Sequence, residues 1–391
     1  MRSFTTSCTV GIVLIPFLCT PAISQSMLMA TDVLKEHIIA EASLALHQEP
    51  VTVTSSVCPR SAGGKHDFYS EGDYWWPDED HPKGPYIQRD GITNPGNFVD
   101  HRHAMIRLSR IIGALASAYL ITRDEKYVSQ AVTHLEAWFV DSLTMMNPSL
   151  LYAQAIHGRV TGRSIGIIDT IHLMEVAQGV VVMEGSPVIA RHRWNAIKSW
   201  FAAYLAWLMS HPYSNDEMNA RNNHGTCWVM QVASFARLTG DSSVLQLCKD
   251  RYKERLLPEQ MAIDGSFPLE LRRTKPYGYS LFNLDAMAMI CQMLSYGKDN
   301  LWNFKTNDGK GIERGIEFLY PYVRDKTGWP YRKDVMYWAD WPVAHPFMVF
   351  GAFAFGRGDW FETWSKLDHN PQVEEVVRNL PVRNPLIWLN H

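Results

Sequence analysis

From about residue 100 onward, apolar residues recur at i, i+3, i+4 and i+7, the spacing that lines one face of an α-helix. Residues 103–121 carry the pattern, Thr122-Arg123-Asp124 interrupts it, and residues 126–140 resume it. The same unit returns at 233–238, where Thr239-Gly240-Asp241 makes the break and 244–256 follows. A helix, a short Gly/Asp turn and a second helix form an αα-hairpin. Further helices are predicted over 165–177, 187–209, 228–238, 280–295, 311–322 and 342–355. Two-residue alternation is nearly absent, so little sheet is expected. Hairpin after hairpin with no low-complexity linker predicts an all-α fold, a single incomplete α/α toroid over residues 25–391. A stacked solenoid is the alternative, but the repeats lack a fixed period.

Two stretches escape the pattern. Residues 58–100 are rich in Gly, Pro, Asp and aromatics, and residues 258–279 are irregular and charged. Long irregular segments inside a compact domain are uncommon and often carry function. These loops are expected to line a cleft or tunnel.

Composition narrows the function. The 391 residues hold 37 Lys and Arg against 40 Asp and Glu, a formal net charge of −3. That balance disfavours a nucleic-acid partner, which needs a basic surplus. The 14 Trp, 16 Tyr and 16 Phe suit a sugar-stacking groove, and equally a large helical core. At the N-terminus, Arg2, an apolar run over 10–18 and Ala22-Ile23-Ser24 read as a cleavable signal peptide, residues 1–24. Export to the periplasm or the medium is therefore expected. Beyond it no membrane span is expected, residues 194–210 coming nearest. Cys58, Cys227, Cys248 and Cys291 remain, with no zinc spacing and room for one disulfide.

Two polar clusters stand out. Arg221-Asn222-Asn223-His224 precedes an apolar helix. It fits a structural cap, and it also fits a donor and a titratable imidazole beside a helix N-terminus that favours anions. Arg272-Arg273-Thr274-Lys275-Pro276-Tyr277-Gly278-Tyr279 gathers three cations and two phenols. It reads either as a solvated basic loop or as an anion site with a proton donor. No carboxylate pair is singled out by spacing. No HExxH, GxSxG, P-loop or dinucleotide fingerprint occurs, so neither metal nor cofactor is expected.

Asn222-Asn223-His224, residues 264–273 and residues 279–284, with the aromatic loops at 73–78 and 85–95, resemble the alginate-lyase-type α/α-toroid polysaccharide lyases. The likeness is stronger to the family 38 lyases, which act on glucuronan and alginate, than to the periplasmic family 5 enzymes. The resemblance implies Asn223 and His224 as charge-neutralising residues, Arg272 as the site arginine, and Tyr279 as the catalytic tyrosine. It has no secure counterpart for the family's amino-terminal substrate-binding lysine. Asn222, Arg273, Lys275, Tyr277, Tyr74, Trp75, Trp76, Arg89, Arg159 and Arg163 are candidate substrate-binding residues. The chemistry expected is β-elimination on a 1,4-linked polyuronate by a monomeric enzyme whose partner is that anionic polysaccharide. Arg272, Arg273 and Lys275 are the expected source of a field that lowers the Tyr279 pKa from its usual value near 10. A glycoside hydrolase on the same toroid and a non-catalytic polyuronate-binding protein are the rival readings.

Overall fold

A computed structural model of the chain describes residues 25–297 and 299–389. The expected signal peptide, with Cys8 and Cys19, lies outside the described residues. Helix α1 (Gln25–Ala45) leads into the irregular region, and α2 (Asp100–Thr122) pairs with α3 (Glu125–Phe139). Then come α4 (Leu173–Met183), α5 (Arg191–Ser210), α6 (Pro212–Met218), α7 (Asn223–Thr239) and α8 (Ser242–Arg251). The short α9 (Leu257–Gln260) and α10 (Pro268–Leu271) precede α11 (Pro276–Leu294), α12 (Ile312–Arg324) and α13 (Pro346–Phe355). The chain ends through α14 (Gly358–Ser365), α15 (Glu374–Arg378) and α16 (Leu386–Leu389).

Burial sorts these helices into two rings. In α11 every residue but Gln292 is buried, whereas α12 buries only Ile312, Gly315, Ile316, Leu319 and Val323, one stripe at helical spacing. A helix apolar all round belongs inside and an amphipathic one outside. The inner helices pack in chain order, α2 on α4, α4 on α7, α7 on α11 and α11 on α13, with α3, α5, α8, α12 and α14 behind them. The toroid is incomplete, because α1 and α16 take the other flank of α2. One hydrophobic core runs from Met27 to Leu389.

The structure alters several expectations. Helix α1 escaped the sequence reading although Met27, Ala30, Leu34, Ile38, Ala42 and Ala45 mark its buried stripe. The helix expected at 165–177 is instead a 3₁₀ segment, Ser164–Thr170, followed by α4. Thr170 Oγ1 bonds back to the Ile167 carbonyl at 3.0 Å, a local bond that competes with α-helical pairing. The four described cysteines are all free and buried, so no disulfide forms among them. Among the described residues, the unbroken helix long and apolar enough to cross a membrane is α2, not 194–210, and 83% of its apolar window is buried in the fold. It is a core helix.

Among the described residues the sheet is confined to two small ribbons, with three of the four strands in the irregular region 58–100. Strand β1 (Tyr69–Glu71) pairs in parallel with β4 (Tyr152–Ala155), and β2 (Trp75–Trp76) pairs antiparallel with β3 (Ile87–Gln88). These ribbons lay the aromatic loop over one mouth of the ring.

Candidate active site

One wall of the site is built where α7 begins. The Asn223 backbone N–H donates to Glu270 Oε1 at 2.8 Å, and its side-chain amide donates to Oε2 at 2.7 Å. Glu270 on α10 thus pins the first residue of α7. A Cβ on Gly225 would sit 2.2 Å from the Ala220 carbonyl oxygen, so only glycine lets the chain turn this tightly into the helix. One residue on from Asn223, His224 Nδ1 lies 2.6 Å from Glu217 Oε1 on α6. Burial alone would lower the imidazole pKa, but the Glu217 carboxylate outweighs it and raises it above the ordinary value. With Nδ1 committed to Glu217, the other ring nitrogen is left for the cleft, which both Asn223 and His224 line. The positive end of a 17-residue helix adds to their pull on an anion.

The opposite wall carries Tyr279, in the first turns of α11. Arg273 lies over its ring, 4.6 Å from the centroid, and is itself held by Asp90 at 2.9 Å. The Tyr279 hydroxyl is 2.8 Å from that of Tyr74. Tyr74 Oη accepts from Lys275 Nζ at 2.8 Å and from Arg378 Nη2 at 3.2 Å. Neither cation can accept a hydrogen bond, so the Tyr74 proton is left for Tyr279 at 2.8 Å or for Glu375 Oε1 at 3.5 Å, and the shorter contact is the one to Tyr279. Tyr279 keeps its proton and one lone pair for the cleft. Behind the pair lies a buried ionic chain: Lys275 bonds Glu375, Arg378 bonds Glu375 and Asp73, and Asp73 bonds Arg102 at 2.7 Å. Burial pushes the Asp73 carboxyl up, but Arg102 and Arg378 overcome this and hold it at about 2.

Between the walls is a narrow space of about 120 Å³, bounded also by Trp75, Gln154, Arg163 and Asp169. Asp169 accepts from Ser70 and Gln154 and sits 3.9 Å from Arg102. Burial raises its pKa, with Arg102 opposing. Among the described residues no cluster of three or more His, Cys, Asp or Glu side chains could hold a metal ion.

The family profile for alginate lyases matches residues 52–329, which covers most of the chain, both walls included except α15. The chain belongs to the alginate lyase family. It is a polysaccharide lyase. Among solved structures, an alginate lyase from Bacteroides ovatus superposes with a TM-score of 0.78 at 28% identity, covering 93% of this chain and 97% of that one. Alginate lyase A1-III from Sphingomonas species A1 superposes with a TM-score of 0.53 at 14% identity, over 83% of this chain and 88% of that one. A form of A1-III complexed with a tetrasaccharide reaches 0.58 at 13%, over 90% and 93%. The A1-III likeness shows the fold alone. No curated protein matches.

The lyase gathers seven of the expected residues around one cleft: Asn223, His224, Tyr279, Arg273, Tyr74, Trp75 and Arg163. It does not bring Arg272 there. The chain turns at the end of α10, leaving Arg272 exposed while its carbonyl accepts from Arg332 at 2.8 Å. Arg273, six residues before Tyr279 in the sequence, faces the cleft in its place. Lys275 is buried and paired with Glu375, so it offers the ligand no free charge. Tyr277 is a core residue whose hydroxyl donates to the Tyr322 carbonyl at 3.0 Å. Asn222 precedes α7, and its carbonyl accepts from Gln260. Trp76 donates its indole N–H to Ile92, with Arg89 stacked on its ring and bonded to Glu79, both outside the cleft. Arg159 lines a neighbouring cavity.

The expected lowering of the Tyr279 pKa is reversed. Burial, the neighbouring Tyr74 and Glu375 raise it well above 10, and Arg273 alone opposes them strongly. The reason is structural: Arg272 faces solvent and Glu375 neutralises Lys275. Sequence reading also missed Glu217, Glu375, Arg378, Gln154 and Asp169. Only for Glu217, one helical turn and a bend before His224, was there a local signal.

Proposed function

We propose that this lyase cleaves 1,4-linked polyuronates, mannuronate-rich alginate and glucuronan, by β-elimination without a metal, after export through the 1–24 leader. The observation that carries the reading is the hydrogen-bonded order Lys275 and Arg378 to Tyr74 to Tyr279, which leaves a protonated phenol facing the anion-binding wall. Asn223, His224 and Arg273 take the charge that develops on the C6 carboxylate as the C5–H bond weakens. In mannuronate and glucuronate, H5 and O4 lie on the same face of the ring. Tyr279 passes its hydroxyl proton to O4 as its free lone pair receives H5. The C4–O4 bond breaks, a C4=C5 double bond forms, and the tyrosine begins and ends protonated. No tyrosinate is needed in the resting site, in keeping with its raised pKa.

Hydrolysis fits the carboxylates less well. It needs one acid and one base flanking the bond, yet Asp73, Asp90 and Asp169 are each engaged by arginines or hydrogen bonds. The test is ultraviolet absorbance of the conjugated double bond during digestion of pure polymannuronate and glucuronan. Absorbance rising with reducing ends supports elimination. Reducing ends without absorbance overturn it.

A further inference from the structure

Beside the catalytic cleft lies a second cavity of about 480 Å³, one of whose lining residues, Arg159, reaches the Trp75 ring of the cleft. Arg163, which lines the cleft, has its guanidinium 5.8 Å from the Trp75 ring centroid, and Arg159, which lines the second cavity, has its own at 5.2 Å. Arg159 sits in a tight turn closed by the Ile156–Val160 bridge. The turn is fixed against the aromatic loop at Gly158, where φ is +72° and a Cβ would lie 2.8 Å from Pro85 Cα. Its Nε donates to the Tyr86 carbonyl at 2.7 Å, which aims the guanidinium without neutralising it.

The charges of this cavity differ in what they face. Arg60, on the same cavity, is bonded twice to Glu71, at 2.5 and 2.6 Å. Among the described residues no carboxylate pairs with Arg159. Its outer guanidinium nitrogens form a planar donor pair that matches a carboxylate. His157, with the Tyr86 ring 5.1 Å from its own, and Tyr213 supply flat and polar surface around it.

We infer that this cavity is a distal subsite for a further uronate of the polymer, whose carboxylate Arg159 grips beside Trp75. The inference rests on the polyuronate reading and extends it: the enzyme engages a chain longer than the cleft holds.

The test measures kcat and KM by absorbance on oligomannuronates of defined length, trimer to hexamer, for the wild type, Arg159→Met and Arg159→Lys. Thermal melts show that each is folded. The wild type is expected to gain in kcat/KM with length. Arg159→Met should lose roughly three- to tenfold on the hexamer, mostly in KM, and less on the trimer. Arg159→Lys should recover part of the loss. A length gain that Arg159→Met leaves intact, an equal loss at all lengths, or no gain in the wild type overturns the subsite alone. Wild-type protein that makes no unsaturated ends at any length overturns the polyuronate reading, and the subsite with it.

Discussion

The two walls of the cleft handle charge in opposite ways. On the α7 wall, Glu270 and Glu217 orient Asn223 and His224, and the polar groups so held are offered to the ligand. On the Tyr279 wall, three buried cations and two buried carboxylates satisfy one another behind Tyr74, and Tyr279 presents its hydroxyl to the cleft beside Arg273. A wall that receives an anion must keep charge unneutralised. A wall that moves a proton must fix which partner donates, and a closed ionic chain does that. Such a chain also tolerates burial, because every charge in it is paired.

The comparison is broken most directly at Tyr279. Tyr279→Phe removes the phenolic proton that this wall presents to the cleft and should lower turnover on polymannuronate by about 10³- to 10⁴-fold. Circular dichroism should show an unchanged fold, since the ring stays packed under Arg273. Turnover within tenfold of wild type would remove the proton role from this wall altogether.

Next in size is the arginine pair. Arg273→Ala takes away the cleft arginine that lies over the Tyr279 ring and should cost on the order of 10²–10³ in kcat/KM. Arg272→Ala should change it less than about twofold, as surface substitutions usually do. Comparable losses in both variants would mean that the turn at the end of α10 presents a different side chain in solution.

These two residues also show how far the sequence could be read. The inner helices announce themselves because α7, α11 and α13 are apolar nearly all round, and the αα-hairpins because Gly240 and Asp124 punctuate them. The α7 wall was legible for the same reason: Asn223 and His224 are adjacent, and their chemistry is local. Choosing between Arg272 and Arg273 was not possible, since neighbouring residues point to different sides of a turn and only the geometry of α10 decides. The Tyr279 wall was out of reach. Tyr74, Lys275 and Glu375 meet across 201 and 301 residues of sequence, and Glu375 and Arg378 lie beyond the stretch the family profile matches. Buried pairs of this kind leave no periodicity, and without them Lys275 reads as a free cation.

Stability separates the walls as well. Glu375→Gln leaves Lys275 and Arg378 buried with one carboxylate, Asp73, between them. Breaking a buried ion pair from one side commonly costs about 3–5 kcal/mol, so its denaturant midpoint should fall well below that of the wild type with the slope preserved. An unfolding free energy within about 0.5 kcal/mol of wild type, the scatter of surface substitutions, would show that water reaches Lys275 and that the ionic chain is not closed.

The smallest effect tests the sign of the charge on the α7 wall. Burial lowers the His224 pKa; Glu217, and to a smaller extent Glu270, lift it, and Arg273 opposes them. A raised pKa keeps the imidazolium present to higher pH than an ordinary histidine, and that charge is lost as pH rises through the raised value. Glu217→Gln retains a hydrogen-bond partner but removes the larger lifting charge, so the His224 pKa falls. On polymannuronate, where His224 serves as a cation, the alkaline limb of kcat/KM should therefore move to lower pH while Tyr279 still supplies the proton. On polyguluronate, H5 and O4 lie on opposite faces, and a neutral His224 would have to take the proton. If that polymer is cleaved, the same substitution should shift its acidic limb to lower pH and so raise the fraction of competent enzyme in mild acid. The pH profiles of kcat/KM for both proteins on the two pure polymers check this. Limbs that stay in place on both would show that His224 does not titrate in the working range and that Glu217 fixes only its orientation.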